Sequence, residues 1–251
     1  MANYIFCGGG TGGHLYPGIS VAEELRTQQP DAEVIFACSD RSIDGAILDP
    51  TGFAYVGQPT KPFRKNPVRW PGFLWAWWKS IRQARALLDE YQPEAVLGLG
   101  GFAGAAVTIQ AAKRGIPTAL LNPDGIPGKA NLFLAEKVDR IFTQFEQTRE
   151  FFSASLRDKV RTVGCPIREM LLDGDRQEAL EHFGLRPDRK TLLVFGGSAM
   201  ADSITETMML FREELGIRSE SWQLLIGVGA KKFREVQQMF NGCGVCAKVV
   251  P

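Results

Sequence analysis

Three times along this chain a short apolar run closes in glycines and passes directly into a helical pattern. Gly8-Gly9-Gly10-Thr11-Gly12-Gly13-His14 ends the first run, Gly98-Leu99-Gly100-Gly101-Phe102-Ala103-Gly104 the fourth, and Phe195-Gly196-Gly197-Ser198-Ala199-Met200-Ala201 a later one. Glycine lets the backbone turn tightly and come close to a ligand. The helix that follows presents unpaired N–H groups and a partial positive charge, which suit phosphate. One such loop is an ordinary strand-to-helix turn. Three at strand C-termini, where open α/β sheets bind ligands, point to a ligand-binding fold.

The rest of the chain agrees. Apolar runs at 3–7, 33–39, 54–58, 95–100, 118–122, 140–144 and 161–165 are short, and several are apolar at consecutive positions, as buried parallel strands are. Helical patterns at 18–28, 73–90, 103–114, 128–136 and 147–152 alternate with them. A second series follows: helix 176–183, strand 191–196, helix 201–215, strand 223–227, helix 231–240 and strand 247–250. The alternation predicts an α/β protein with two doubly wound parallel sheets. The expected boundary falls near Cys165, giving domains 1–165 and 166–251. Three strands are few for a stable sheet of this kind, so the second domain is expected to be incomplete.

Composition narrows the function. The chain has 251 residues, 45% hydrophobic and 23% charged, which excludes wholesale disorder. A net charge of +1 gives no global field for nucleic acid. No apolar run is long enough to span a bilayer, and the N-terminus has no charged n-region, so neither a membrane span nor a signal peptide is expected. Cys7, Cys38 and Cys165 fall within or at the ends of apolar runs and read as small core residues in a reducing compartment. Cys243 and Cys246 form a lone CxxC, without the further ligands a zinc site needs. Asp173-Gly174-Asp175 has the form of a metal-binding acidic pair but lies in a loop before a helix, and no metal site is expected.

Gly8, Gly10 and Gly13 match GxGxxG, so a nicotinamide-dependent oxidoreductase, with Asp40 on the ribose, is one reading. It leaves the second and third loops without a role. The residues support a different one. Gly9-Gly10-Thr11-Gly12-Gly13-His14, Tyr16-Pro17-Gly18 and Ala22 resemble the opening of the MurG-type N-acetylglucosaminyltransferases of glycosyltransferase family 28. Leu97-Gly98-Leu99-Gly100-Gly101-Phe102 resembles their second loop. Gly115-Ile116-Pro117, Asn122-Pro123-Asp124-Gly125-Ile126-Pro127-Gly128 and Asn131 follow at family spacing. Val163-Gly164-Cys165-Pro166-Ile167-Arg168 resembles the interdomain segment, and Gly196-Gly197-Ser198 the start of the third loop.

The resemblance implies a GT-B fold of two Rossmann-like domains, the first for acceptor and membrane, the second for the UDP-sugar donor. It implies inverting, metal-independent transfer of GlcNAc from UDP-GlcNAc to the undecaprenyl-linked acceptor lipid I. The enzyme would work without a cofactor, as a peripheral protein on the cytoplasmic membrane face. The family's His-Glu-Gln-Asn is here Leu121-Asn122-Pro123-Asp124, which alters the acceptor side, and a side-chain amide is lost after Ser198. Family members also continue beyond the length seen here, so a fragment or an incomplete donor site is expected. A non-catalytic lipid-binding homologue is the third reading.

Within the resemblance, His14 is the candidate base for the acceptor hydroxyl, since histidine titrates near neutral pH. Its plain alternative is a loop-orienting histidine. Asp124 is the rival base, with a turn role as its alternative. Thr11, Gly12, Gly13, Arg168, Gly197 and Ser198 are candidates for the donor or its phosphates. A surface ion pair is the alternative for Arg168, and a helix cap the compatible one for Ser198. Gly100, Gly101, Phe102 and Asn131 are candidates for the acceptor.

Four of the five tryptophans lie between residues 70 and 78. At helical spacing Trp70, Phe73, Leu74, Trp77, Trp78 and Ile81 share one face, with Trp75 off it. Lys61, Arg64, Lys65, Arg69, Lys79, Arg82 and Arg85 flank the stripe. Aromatic rings with cationic neighbours predict an interfacial helix on an anionic membrane; an inward-packed core helix is the alternative.

Overall fold

The computed structural model describes residues 2–61, 70–196, 202–211, 220–230, 232–241, 244 and 246–250. The chain divides into two compact units, Met1–Glu169 and Met170–Pro251.

The first unit is built on a parallel sheet of seven strands. In chain order its elements are β1 (Asn3–Gly8), α1 (Gly12–Gln28), β2 (Glu33–Ser39), α2 (Ser42–Leu48), β3 (Ala54–Gln58), α3 (Trp70–Tyr91), β4 (Ala95–Gly100), α4 (Ala105–Lys113), β5 (Thr118–Asn122), α5 (Lys129–Ala135), β6 (Arg140–Thr143) and β7 (Val160–Thr162). The strand order is β3-β2-β1-β4-β5-β6-β7, all neighbours parallel. Side chains alternate across β1, so Phe6 faces one layer while Ile5 and Cys7 face the other. Phe6 joins Leu15, Ile19, Phe36, Leu48 and Leu99 on the α1 and α2 side. Ile5 and Cys7 join Ala84, Leu87, Leu88, Ala106 and Val107 of α3 and α4.

The second unit contains α6 (Arg176–Phe183), β8 (Lys190–Phe195), α7 (Asp202–Leu210), β9 (Trp222–Gly227), α8 (Phe233–Phe240) and β10 (Ala247–Val250). Its three strands are parallel, in the order β10-β9-β8. Leu224, Ile226, Val228, Val236, Phe240 and Val249 form its core. Asp175 caps α6 by accepting from the Glu178 amide at 2.8 Å, and Gly184 ends it in the left-handed conformation. The expected fold class, α/β with two Rossmann-like parallel sheets and a small second one, holds.

Several elements differ from expectation. α1 begins at Gly12, well before the expected start, because Pro17 lies inside the helix and does not open it. Pro17 lacks an N–H, but its ring and the neighbouring Leu15, Gly18 and Ile19 are buried, and that packing outweighs one lost bond. The segment expected as helix 147–152 is 3₁₀, Glu146–Phe151, and a second 3₁₀ turn covers Ala154–Lys159. β7 ends at Thr162, ahead of Gly164 in a positive-φ conformation. α2 is an addition: seven residues are too few for a clear period.

Candidate functional site

The strand order reverses direction between β1 and β4, so the connections diverge there and open a crevice at the strand C-termini. A pocket of about 300 Å³ occupies it. Gly9, Gly10, Thr11 and His14 line it from the first glycine loop, Ser39, Asp40 and Arg41 from the end of β2, Thr60 from beyond β3, and Gly101, Phe102 and Ala103 from the end of β4.

The first loop is held from beneath by a residue that the sequence did not single out. Asp44 of α2 is fully buried. Its carboxylate accepts from the Gly10 amide at 2.9 Å, the Ser39 amide at 2.9 Å and the Ser39 hydroxyl at 2.6 Å. A Cβ on Gly9 would collide with the same carboxylate, so glycine is required there for close approach. Arg41 donates to the Gly10 carbonyl at 3.2 Å from the pocket side. The Gly10 N–H is therefore occupied, and a carboxylate lies directly under the loop. Both features oppose a dinucleotide pyrophosphate seated on Gly8-Gly9-Gly10, which weighs against the oxidoreductase reading. Donors suited to an anion remain at the first turn of α1, where Gly12 and Gly13 start the helix with Thr11 as its cap position.

Because α1 starts at Gly12, His14 belongs to its first turn, and its side chain leans toward the helix N-terminus and the pocket. Nδ1 is buried and has no hydrogen-bond partner among the described residues. The ring rests against Gly100, whose φ of +97° keeps that position open to glycine. His14, Gly101 and Phe102 thus meet in one pocket, with Gly100 behind the ring.

Asp124 is exposed in the turn after β5 and is not among the residues that line the pocket. Its backbone carbonyl accepts from the Asn122 side chain at 2.6 Å. Asn131 is 2% exposed and donates to Asn122 Oδ1 at 2.7 Å, so it sits behind the pocket surface. Arg168 pairs with Glu23 of α1, its Nη2 3.0 Å and its Nε 3.2 Å from Oε1. That is the ion pair named as its plain alternative. Gly197 and Ser198 lie outside the described residues, as do Arg64, Lys65, Arg69 and Cys243. Cys7 contacts the Thr108 hydroxyl at 3.1 Å. Burial pushes both the Cys7 and the Cys38 thiols up to about 12, which keeps them protonated near neutral pH, as inert core thiols are. Among the described residues no cluster of His, Cys, Asp and Glu could hold a metal ion.

α3 divides the expected aromatic stripe. Its buried line begins with Ala76, Ser80 and Ala84, small residues that let the helix approach the sheet, and ends with Leu87 and Leu88. Trp77 and Ile81 flank that line and pack on the core, with Phe73 stacked on Trp77 at 6.5 Å between ring centroids. Trp70, Leu74 and Trp78 remain exposed, and so does Trp75, which was expected off the stripe. Lys79 lies over the Trp75 ring at 5.5 Å. No helix among the described residues is long and apolar enough to cross a membrane.

Residues 4–143 match the glycosyltransferase family 28 N-terminal domain. The UDP-N-acetylglucosamine–N-acetylmuramyl-(pentapeptide) pyrophosphoryl-undecaprenol N-acetylglucosamine transferase of Halothermothrix orenii is 35% identical over 235 residues, covering 93% of this chain and 62% of the relative. The protein of the same name from Halalkalibacterium halodurans is 29% identical over 251 residues, covering 98% and 67%. The chain thus spans a little under two thirds of the length of the first of these. Among solved structures, Acinetobacter baumannii MurG superposes with a TM-score of 0.66 at 18% identity, over 100% of this chain and 65% of that one. A Neisseria meningitidis UDP-GlcNAc 2-epimerase bound to UDP-GlcNAc gives 0.66 at 13% identity, over 100% and 72%. These likenesses show the fold.

Proposed function

Since the chain belongs to glycosyltransferase family 28, we propose that it acts in the inverting transfer of GlcNAc from UDP-GlcNAc to lipid I, forming lipid II for peptidoglycan synthesis. The first unit takes the acceptor and the second contributes to the donor site. The observation that carries this reading is the placement of His14 in the crevice at the β1/β4 switch point, beside Gly101 and Phe102 of the second loop.

In this mechanism His14 accepts the proton of the MurNAc C4 hydroxyl. The freed oxygen forms its bond to C1 of GlcNAc on the face opposite the phosphate. The C1–O bond to UDP breaks, and UDP leaves with the electron pair. The first turn of α1, through Thr11, Gly12 and Gly13, binds phosphate, and the second loop borders the acceptor. Asp124 is less suited to the base role, since it does not line the pocket with His14. An anion at Arg168 competes with Glu23 for the guanidinium.

The exposed side of α3 rests in the headgroup layer of an anionic inner-membrane surface, on the cytoplasmic side. Trp70, Leu74, Trp75 and Trp78, with Lys79 and Arg82 exposed among them, support this. An acceptor with a polyprenyl tail is then met at the bilayer.

The test is transfer of labelled GlcNAc to lipid I by the chain followed by the remaining C-terminal portion of a relative. His14→Ala should lower turnover by roughly 10²–10⁴, the range of a lost general base. Near-normal turnover in a folded variant removes His14 from the chemistry.

A further inference from the structure

Two buried polar atoms at the back of the pocket lack partners among the described residues, His14 Nδ1 and Asn131 Oδ1. Both border the same position beside Gly100. A Cβ built on Gly100 would lie 3.1 Å from His14 Nδ1 and 3.2 Å from Asn131 Oδ1. Only a glycine at 100 leaves the space between them open.

The orientation of the Asn131 amide follows from its neighbours. Its nitrogen donates to Asn122 Oδ1 at 2.7 Å, and Asn122 in turn donates to the Asp124 carbonyl at 2.6 Å. The amide nitrogen is thus committed to Asn122, and the Asn131 oxygen lies on the Gly100 side, where the His14 ring also rests. Leaving an acceptor and a ring nitrogen both buried without a hydrogen bond is costly. A proton on His14 Nδ1 donated to Asn131 Oδ1 would satisfy both, once the ring and the amide close on each other beside Gly100. Asn131 itself is too deeply buried to meet a ligand directly.

We propose that Asn131 is a positioning residue that holds His14 as the Nδ1–H tautomer, so that the unprotonated Nε2 faces the pocket. This rests on the reading of His14 as the base and deepens it. A neutral imidazole has one donor and one acceptor nitrogen, and the partner of one fixes the role of the other. An Nε2–H ring would present a donor to the acceptor hydroxyl and could not take its proton. The Asn122–Asn131 pair thus reaches the reaction through His14, and Gly100 keeps the passage clear.

The tautomer is measurable without substrate, so this proposal can fail independently of the transferase reading. The chain has two histidines, His14 and His182, and His182 serves as the internal control. Two-bond proton–nitrogen spectra above the titration range report which ring nitrogen carries the proton. His14 in the parent should be mainly Nδ1–H. Asn131→Leu should shift the ratio toward Nε2–H by about fivefold, the ratio one ordinary buried hydrogen bond sets. Asn131→Asp, which keeps an acceptor, should retain the Nδ1–H form. A parent that is mainly Nε2–H overturns the proposal, as does a folded Asn131→Leu with an unchanged ratio. If Asn131→Leu does not fold, loss of the Nδ1–H form in Asn131→Asp is the overturning result.

Discussion

Asp44 shows how one side chain limits the use of a loop. Its carboxylate meets the Gly10 amide, the Ser39 amide and the Ser39 hydroxyl in a fully buried position. Asp44→Ala strands all three donors, each desolvated, and should cost about 2–4 kcal/mol in urea unfolding; a loss below about 0.5 kcal/mol would mean that the loop stands without it. The thiols offer a second test. Cys7 and Cys38 are raised from 9.0 to about 12, chiefly by burial, with nearby Asp44 adding to the rise at Cys38. The folded state therefore keeps its thiol protons where the unfolded state releases them. That contribution to stability is complete below about pH 9 and is lost as pH rises toward 12. Cys165, expected as a third core cysteine, is instead exposed, so at pH 8 a thiol reagent should label it rapidly and reach Cys7 and Cys38 only after unfolding. Rapid labelling of Cys7 in the folded chain would contradict its burial. His14 and the glycines beside it were legible in the sequence because a loop between strand and helix announces itself. Asp44 was not, because its role needs α2 folded against β1, and seven residues give no period to read.

At the scale of the element, α3 separates two roles that its sequence merges. Trp77 packs against two core clusters while Trp75 and Trp78 are 61% and 59% exposed. Trp75→Ser with Trp78→Ser should abolish sedimentation with anionic vesicles and leave circular dichroism unchanged. Trp77→Ser should instead destabilise the first unit by about 1–3 kcal/mol, somewhat less than the loss of a fully buried aromatic. Salt should weaken vesicle binding without removing it, because the aromatic contribution is unscreened. Unaltered vesicle binding by the exposed-pair variant would end the membrane role of this helix. The periodicity argument located the helix and its amphipathic character correctly. It could not say which aromatics face inward, since beside them the buried line is made of Ala76, Ser80 and Ala84, residues with no strong hydropathy signal, and the buried leucines come only at Leu87 and Leu88.

In the whole molecule the two units differ in how much core they own. Among the described residues the first has helices on both faces of seven strands, whereas the second has three strands and leaves Leu192, Leu193 and Phe195 of β8 39–61% exposed. Small sheets bury too little apolar area to be strongly stable. Hydrogen exchange should therefore show β8–β10 amides exchanging at least tenfold faster than those of β1, β2 and β4; equal protection would refute this ranking. By itself the sequence determined the α/β alternation, the parallel sheets, the three glycine loops and the family resemblance, because strand and helix periods and glycine's backbone freedom are local properties. Tertiary structure alone decided that Pro17 lies within α1, that Asp44 occupies the Gly10 amide, that Arg168 pairs with Glu23, and that His14 and Asn131 both border Gly100. Each of those depends on residues distant in the chain meeting in space, and no local pattern encodes such a meeting.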